Sequence, residues 1–293
     1  MLKNGGVAVV EIASGAVTAV DVNGTKRRIA TPGGGPNGLA WGPDGMLYLC
    51  NNGGLNWVES TGMLRAHGQA DDYDGGRIER IDAETGTVTR LYDRCGDHML
   101  SGPNDIVFPP VGSPSDGGFW FTDIGKTRPR DRDHGGVYWA TTDGSRIIEA
   151  AYPVPGGANG IGLSADGQTL YVAETDTARI WMWDVEGPGV LRREPWPSPH
   201  GGRLLCQLPG FTRLDSLAMT ADGNIVVAAL YASNITTVSP TGEILDVVSM
   251  PDAMPTNICF GGEDLRTAYI TLSTTGRLVE MPWREAGLAL PYG

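Results

Sequence analysis

The chain has 293 residues, of which 41% are hydrophobic and 19% are charged, and its formal net charge is −12. This composition is typical of a globular protein with a full core, and the negative charge argues against nucleic acid or a membrane surface as a partner. The 43 glycines and 20 prolines lie scattered at the ends of short apolar runs, which indicates turns between strands and not disorder.

The sequence gives no sign of a disulfide framework, a membrane span or a secretory leader. Its four cysteines are widely spaced and form no CxxC pair. No apolar run approaches the roughly 20 residues that cross a bilayer, and the N-terminus lacks the charged, apolar and cleavage regions of a signal peptide. We therefore expect a soluble, cytoplasmic protein that is a monomer or a small homo-oligomer.

One pattern repeats along the chain: an apolar strand, a turn that usually contains Asp-Gly, a second apolar strand, and then more amphipathic strands. A partial copy, VAVVEI followed by AVTAVDV, comes first. The full copies then begin, in chain order, with GLAWGPDGMLYLC, IVFPPVGSPSDGGFWFTD, IGLSADGQTLYVAE, SLAMTADGNIVVAAL and ICFGGEDLRTAYITL. Short strands at regular spacing with an apolar inner pair are typical of propeller blades.

We therefore predict an all-β fold, a six-bladed β-propeller with four-stranded antiparallel blades that forms one domain over residues 1–293. The first blade lacks its innermost strand, because residue 1 falls only a few positions before VAVVEI. Either the C-terminal GLALPYG closes the ring or the natural chain begins upstream. Of two long insertions, residues 55–75 and 125–135, the first either roofs the channel or packs as a surface loop.

An Asn or Asp stands at the start of the first strand in all five full copies. We call these the threshold residues: Asn37, Asn104, Asn159, Asp215 and Asn257. Turn chemistry explains any one of them. Because the innermost strands of a propeller converge on a central channel, five together favour an oxygen-ligand site for one divalent cation. Calcium is the expected ion, with zinc, manganese or magnesium as alternatives.

Several motifs in this order resemble the SMP-30/gluconolactonase/LRE family, in particular its Drp35-type bacterial lactonases. They are PNDIVF with GGFWFTDIG, GGVYW, ANGIGLSADGQTLYVAET and LDSLAMTADG, and the likeness covers residues 36–273. Members of that family are six-bladed propellers that bind one divalent cation and hydrolyse lactones, and some relatives hydrolyse organophosphates. The resemblance implies a metal-dependent hydrolase that opens a small lactone or ester. Organophosphate hydrolysis and a non-catalytic binding propeller are the alternatives.

Carried over by position, the resemblance makes Asn159 and Asp215 metal ligands, and Asn104 a ligand or a neighbour of the substrate. Asp215 is the candidate proton acceptor, so Asp215 and Asn104 are the predicted catalytic residues. Ser216 also matches the Drp35-type pattern and is a possible ligand or neighbour of the ligands.

The sequence departs from the family at two places. The remaining ligand of the family is a Glu on the inner strand that is missing here, and Glu11 at the end of the next strand is the candidate substitute. Gly102 stands where animal members carry a substrate-binding Arg, which argues against their preference for sugar lactones.

The remaining candidates belong to the expected substrate pocket. They are Asn37, Asn51, Asp123, Glu174, Tyr231, Asn257 and Trp57. Four of them end second strands, where a role in holding turns is the alternative, and these are Asn51, Asp123, Glu174 and Tyr231.

Overall fold

The structure is a computed structural model that describes residues 1–2 and 5–293. Nearly every regular segment in it is a β-strand, and the described helical structure is one short 3₁₀ turn, Ile12–Ser14. Six of the antiparallel sheets surround a central channel as the blades of a six-bladed β-propeller, and two further sheets are two-stranded hairpins. The predicted all-β fold is confirmed. No helix in the described part of the chain has the length and apolar character that a bilayer crossing demands.

The first three blades contain the strands up to residue 154. Blade one comprises β1 (Val7–Glu11), β2 (Ala16–Val20) and β3 (Lys26–Ala30). Blade two comprises β4 (Pro36–Trp41), β5 (Leu47–Asn51), the inserted hairpin β6 (Leu55–Ser60) and β7 (Met63–Gln69), then β8 (Arg77–Ile81) and β9 (Val88–Tyr92). After the small hairpin β10 (Arg94–Cys95) and β11 (His98–Met99), blade three comprises β12 (Pro103–Val107), β13 (Gly118–Asp123), β14 (Gly135–Thr141) and β15 (Ile147–Val154).

The last three blades follow the same plan. Blade four comprises β16 (Ala158–Leu163), β17 (Thr169–Glu174), β18 (Arg179–Gly187), the short β19 (Val190–Leu191) and β20 (Arg203–Gln207). Blade five comprises β21 (Arg213–Met219), β22 (Ile225–Leu230), β23 (Asn234–Val238) and β24 (Ile244–Ser249). Blade six comprises β25 (Pro255–Gly261), β26 (Thr267–Leu272) and β27 (Arg277–Pro282).

The core lies between successive blades and not inside any one of them. Strands β5, β13 and β22 are buried along their whole length, because neighbouring sheets cover both of their faces. Tyr48 of blade two meets Phe108 and Phe119 of blade three, with ring centroids 5.2 and 5.5 Å away. Burial of such apolar surface is the main force that holds the blades in a ring.

The two ends of the ring are three-stranded sheets. β1 packs against β4 as β5 packs against β12, so β1 takes the position of a second strand. Among the described residues no strand pairs with the inner edge of β1, in agreement with the predicted absence of an innermost strand. Blade six also has three strands, so the prediction of four is wrong there, because the chain leaves the sheet after Pro282.

The C-terminal segment does not close the ring, so that alternative is wrong. Its backbone bonds instead to blade five, where the Leu288 N–H donates to the Met219 carbonyl at 2.9 Å and the Ala221 N–H to the Ala286 carbonyl at 2.8 Å. Tyr292 then packs edge-on against Phe108, with ring centroids 5.5 Å apart. These contacts lie at the far ends of the first strands, opposite the threshold residues, so the segment borders that end of the channel.

His200 gives blade four a pH-dependent stability. Its ring lies between Trp181 and Trp183, with centroids 4.5 and 5.2 Å away, and its Nε2 has no hydrogen-bond partner. Burial lowers the pKa of His200 to about 4. Because the unfolded chain binds this proton more tightly, we expect the free energy of unfolding, measured by urea titration, to fall as the pH drops from about 6.5 toward 4.

The variant His200→Asn keeps an acceptor for the Gly202 N–H, which His200 Nδ1 accepts at 3.3 Å, and it cannot titrate. Its unfolding free energy should lose less between pH 6.5 and 4 than that of the wild type. His134→Asn, at an exposed position, is the matched control and should behave like the wild type. An equal loss in all three proteins would contradict the role of His200.

Candidate metal and active site

The threshold residues of blades two to six line one channel of about 3020 Å³. Ser216, Trp57 and Tyr231 line the same channel. The residues that the sequence singled out at strand starts therefore share one space, although they are up to 220 positions apart in the chain (37 to 257). Their chemical roles remain predictions.

A β-bulge interrupts the pairing of each first strand at its threshold. The register shifts between Pro36/Leu39, Pro103/Ile106, Ala158/Ile161, Leu214/Leu217 and Pro255/Asn257. A bulge inserts an extra residue and re-aims side chains. As a result two consecutive residues, Asn104 with Asp105 and Asp215 with Ser216, reach the channel, which strict strand alternation would not permit.

Glycines after two threshold residues let neighbouring blades approach closely. A Cβ added to Gly160 would lie 2.6 Å from the carbonyl oxygen of Asp215, and one added to Gly38 would lie 2.5 Å from that of Asn104. Both distances are shorter than real Cβ contacts. The strands that carry Asn159 and Asp215 can therefore lie side by side because Gly160 has no side chain. Gly38 has the same effect on the strands that carry Asn37 and Asn104.

Thr122 links the first strands of blades three and four. Its Oγ1 accepts the Asp105 N–H at 3.1 Å and donates to the Asn159 carbonyl at 2.5 Å. The thresholds of four successive blades are thus fixed against one another by direct contacts of backbone and side chain.

Two amide oxygens in this group are buried and unpaired. Asn104 and Asn159 are 5% and 3% exposed, and Oδ1 of each has no hydrogen-bond partner. The Asn159 Nδ2 donates to Thr175 Oγ1 at 3.1 Å, which fixes the orientation of that amide. An unsatisfied buried acceptor costs about 1–3 kcal/mol. A ligand that binds these two oxygens would remove that cost.

Two carboxyl groups beside the amides are desolvated. Burial raises the pKa of Asp215 to about 7, the Asn159 side chain lowers it, and the nearby Asp105 raises it. Some of the Asp215 side chain remains exposed to the channel, but protein atoms surround it densely. Burial also raises the pKa of Asp105 to about 6. Asp105 was not among the predicted residues.

This donor set fits a divalent cation. Unpaired amide oxygens and carboxylates are hard ligands of the kind that Ca²⁺ and Mg²⁺ take, and a cation would offset the carboxylate charge that burial disfavours. Among residues 1–2 and 5–293, no three His, Cys, Asp or Glu side chains form a metal-binding cluster. Any cation held here would therefore depend on the asparagine oxygens.

Three predicted pocket residues do not line the channel, and the structure corrects their placement. Asn51, Asp123 and Glu174 are buried behind the threshold residues, and each accepts backbone N–H groups from the turn that precedes the first strand of its own blade. These donors are Gly35 N to Asn51 Oδ1 at 2.9 Å, Ser101 N and Gly102 N to Asp123 at 2.8 and 2.7 Å, and Gly156 N to Glu174 Oε1 at 2.7 Å. They hold the threshold in place, as the alternative reading of strand ends proposed.

Glu11 lies at the corresponding end of β1. Its carboxylate accepts hydrogen bonds from the hydroxyls of Thr18 and Ser14, and it lies 3.7 Å from Arg28 Nη2. These partners all belong to blade one. Its proposed role as a substitute ligand therefore stays a prediction, and its carboxylate already has other partners.

The two insertions interlock beside the channel. The hairpin β6–β7 carries Trp57 and lines the channel, and all of its residues are exposed or partly buried. A role as a roof over the channel therefore stays a prediction. Its base is fixed by Lys126, whose Nζ donates to the Gly54 carbonyl at 2.7 Å. At another part of the channel Tyr231 stacks on Phe211, with ring centroids 5.4 Å apart.

The fold and this channel define a β-propeller with a candidate oxygen-ligand cation site between its first strands. The chain belongs to the SMP-30/gluconolactonase/LRE-like family, whose family model matches residues 2–274. The resemblance seen in the sequence is thus confirmed over nearly the whole chain.

Three curated relatives illustrate the range of the family. The chain is 26% identical over 249 residues to a gluconolactonase of Zymomonas mobilis, covering 82% of this chain and 61% of the relative. It is 30% identical over 210 residues to lactonase drp35 of Staphylococcus haemolyticus, covering 71% and 54%. It is 27% identical over 205 residues to diisopropyl-fluorophosphatase of Loligo vulgaris, covering 64% and 59%. The chain therefore spans between 54% and 61% of the lengths of these relatives.

Among solved structures, regucalcin of Agrobacterium tumefaciens, described as a calcium-binding protein, superposes with a TM-score of 0.76 at 17% identity, covering 99% of this chain and 90% of that one. At this level of identity the likeness supports the propeller fold alone.

The bonds behind the threshold can be tested at Asp123. Its carboxylate accepts three backbone N–H groups, from Ser101, Gly102 and Gly125. We expect Asp123→Ala to lower the free energy of unfolding by about 3 kcal/mol, because buried donors lose their acceptor. Asp116→Ala is the control, since Asp116 accepts two backbone N–H groups in a surface turn where water can replace it. Equal losses from the two variants in urea titrations would contradict a special role for Asp123.

Proposed function

We propose that this protein is a divalent-cation-dependent hydrolase that opens small lactones, with calcium as the expected ion. The observation that carries the proposal is the pair of buried, unpaired amide oxygens of Asn104 and Asn159 beside the desolvated Asp215. Unpaired buried acceptors carry a free-energy cost, and a ligand that binds them would remove it. The lactonase relatives support the same substrate class.

Asn104, Asn159 and Asp215 are the residues that would hold the cation. Two neutral amides and one carboxylate leave more net positive charge on the ion than an all-carboxylate set would. When bound, the cation supplies Lewis acidity toward the lactone carbonyl and makes a water molecule more acidic.

The protein's own residues then handle the proton. Asp215 accepts the proton of the attacking water as a general base, and a cation beside it would favour the ionised carboxylate that a base requires. Asp105 supports this role, because its charge beside Asp215 raises the pKa of that carboxyl. Asn37, Asn257, Trp57 and Tyr231 line the rest of the channel and surround the substrate.

Hydrolysis of phosphotriesters is the second candidate function, and the fluorophosphatase relative favours it. The same site would polarise a phosphoryl oxygen as readily as a carbonyl, and the same base would serve. The lactone is preferred here because two of the three relatives bear the name of a lactone hydrolase.

Chelation tests the metal requirement. Treatment with a chelator followed by desalting should abolish hydrolysis of γ- and δ-lactones, and added Ca²⁺, Mn²⁺ or Zn²⁺ should restore it. Added Ca²⁺ should also raise the melting temperature of the stripped protein, because an ion at 100 times its Kd stabilises the folded state by about 2.7 kcal/mol. If the stripped protein, shown to be metal-free by elemental analysis, hydrolyses lactones at the untreated rate, the proposal fails.

Asp215→Asn tests the base. The change removes the charge but keeps the shape, so we expect kcat to fall by ~10²–10⁴-fold. The melting temperature without metal should stay the same or rise, because the variant no longer buries a carboxylate that burial disfavours. Asp222→Asn is the control, since Asp222 lies in the exposed turn after the same strand. Full activity in Asp215→Asn would remove Asp215 from the mechanism.

A further inference from the structure

The position two residues before each threshold residue carries a charge in one blade alone. In chain order it is occupied by Gly35, Gly102, Gly157, Arg213 and Pro255. Arg213 is the first residue of β21, the strand that carries Asp215, and its side chain is 44% exposed and lines the channel. Blade five thus places a cation just outside its threshold.

A second cation takes the corresponding place in blade four. A Cβ added to Gly157 would lie 2.9 Å from Nη2 of Arg132, so the guanidinium of Arg132 lies over this glycine. Arg132 comes from the 125–135 insertion, is 32% exposed and lines the channel with Arg213 and Asn159. The guanidinium groups therefore stand outside the thresholds of two adjacent blades.

The two guanidinium groups share one acid. Asp176 pairs with Arg132 through Oδ2 and with Arg213 Nη2 through Oδ1 at 2.5 Å. The nearby Asp133 carboxylate is paired with Arg128 Nη2 at 2.6 Å, and Arg132 reaches only the backbone carbonyl of Asp133, at 3.5 Å. Because arginine stays protonated, this group of three side chains keeps one positive charge beside the channel of a protein whose formal net charge is −12.

We propose that Arg132 and Arg213 bind an anionic group on the substrate, so that the preferred substrates are lactones that carry a carboxylate, sulfonate or phosphate. The inference rests on the proposed lactonase function and names its substrate class. A guanidinium offers paired N–H donors that match such oxyanions. A net positive charge beside the channel of an acidic protein also attracts anions to this place.

The test compares D-glucono-δ-lactone with its 6-phosphate, which share the ring and the reactive carbonyl. We expect kcat/KM for the phosphate to exceed that for the neutral lactone by about tenfold or more, as hydrogen bonds to charged groups allow. Arg213→Gln and Arg132→Gln should each lower this ratio, chiefly by raising KM for the phosphate. Arg203→Gln is the matched control, because Arg203 is likewise a partly exposed arginine paired with acids, Asp184 and Glu194, but it does not line the channel.

Asp176→Asn separates substrate binding from a structural role by the sign of its effect. Removal of the shared acid frees both guanidinium groups, so KM for the phosphate should fall and the ratio should rise. If the three side chains only hold blades together, Asp176→Asn and Arg213→Gln will both impair the two lactones equally. That result, or a wild-type ratio of one or less, overturns the inference while lactonase function stands.

Failure of the proposed function has a different signature. If neither these two lactones nor unsubstituted γ- and δ-lactones are hydrolysed, the binding of 6-phosphogluconate and of gluconate is measured by calorimetry on the wild type and on Arg213→Gln. Tighter binding of the phosphate that Arg213→Gln weakens supports the anion site without lactonase activity. Equal binding of the two acids overturns the anion site as well.

Discussion

The channel depends on hydrogen bonds between the side chains that end the second strands and the backbone that leads into the first strands. In blades two, three and four these acceptors are Asn51, Asp123 and Glu174. All three are at most 3% exposed, so water cannot replace them and their loss leaves buried donors unpaired. Because these side chains accept the backbone N–H groups of the turn, the threshold side chains are not needed to hold that turn and can face the channel without a partner.

Close packing between blades also determines the electrostatics of the site. Gly38 and Gly160 let the backbone of the next blade approach closely. Within the ring that results, Asp105 lies close enough to Asp215 to raise the pKa of its carboxyl. The result is two buried amide oxygens without hydrogen-bond donors, beside two carboxyl groups whose charged form burial disfavours. Folding alone does not favour such a group, and it persists because the rest of each blade holds it in place. Sites of this kind are prepared for a ligand before the ligand arrives.

The fold and the register of the threshold residues could be predicted from the sequence, because apolar periodicity and turn residues repeat at regular spacing. The strand ends could not be assigned, since Asn51 and Glu174 carry the same kinds of polar group whether they face the channel or the turn. Asp105 was missed because alternation places it on the opposite face from Asn104, and the bulge between Pro103 and Ile106 that reverses this has no clear sequence signal. The prediction of four strands for blade six was wrong because the chain leaves that sheet after Pro282 and its last residues bond to blade five.

The threshold residues and the charged group of Arg132, Asp176 and Arg213 differ in their exposure to solvent. Asn104 and Asn159 lie on strands that pack between neighbouring blades and are 5% and 3% exposed, and protein atoms surround Asp215 densely. Arg132 and Asp176 come from connecting segments, and their side chains are 32% and 26% exposed. Dissolved salt therefore screens their charges, with a Debye length of about 8 Å at physiological ionic strength. Added salt should therefore weaken the attraction of an anionic substrate much more than it alters the proton acceptor. In the proposed enzyme, selectivity and chemistry would therefore be separable, because exposed side chains at the channel would set the first and desolvated strand residues would set the second.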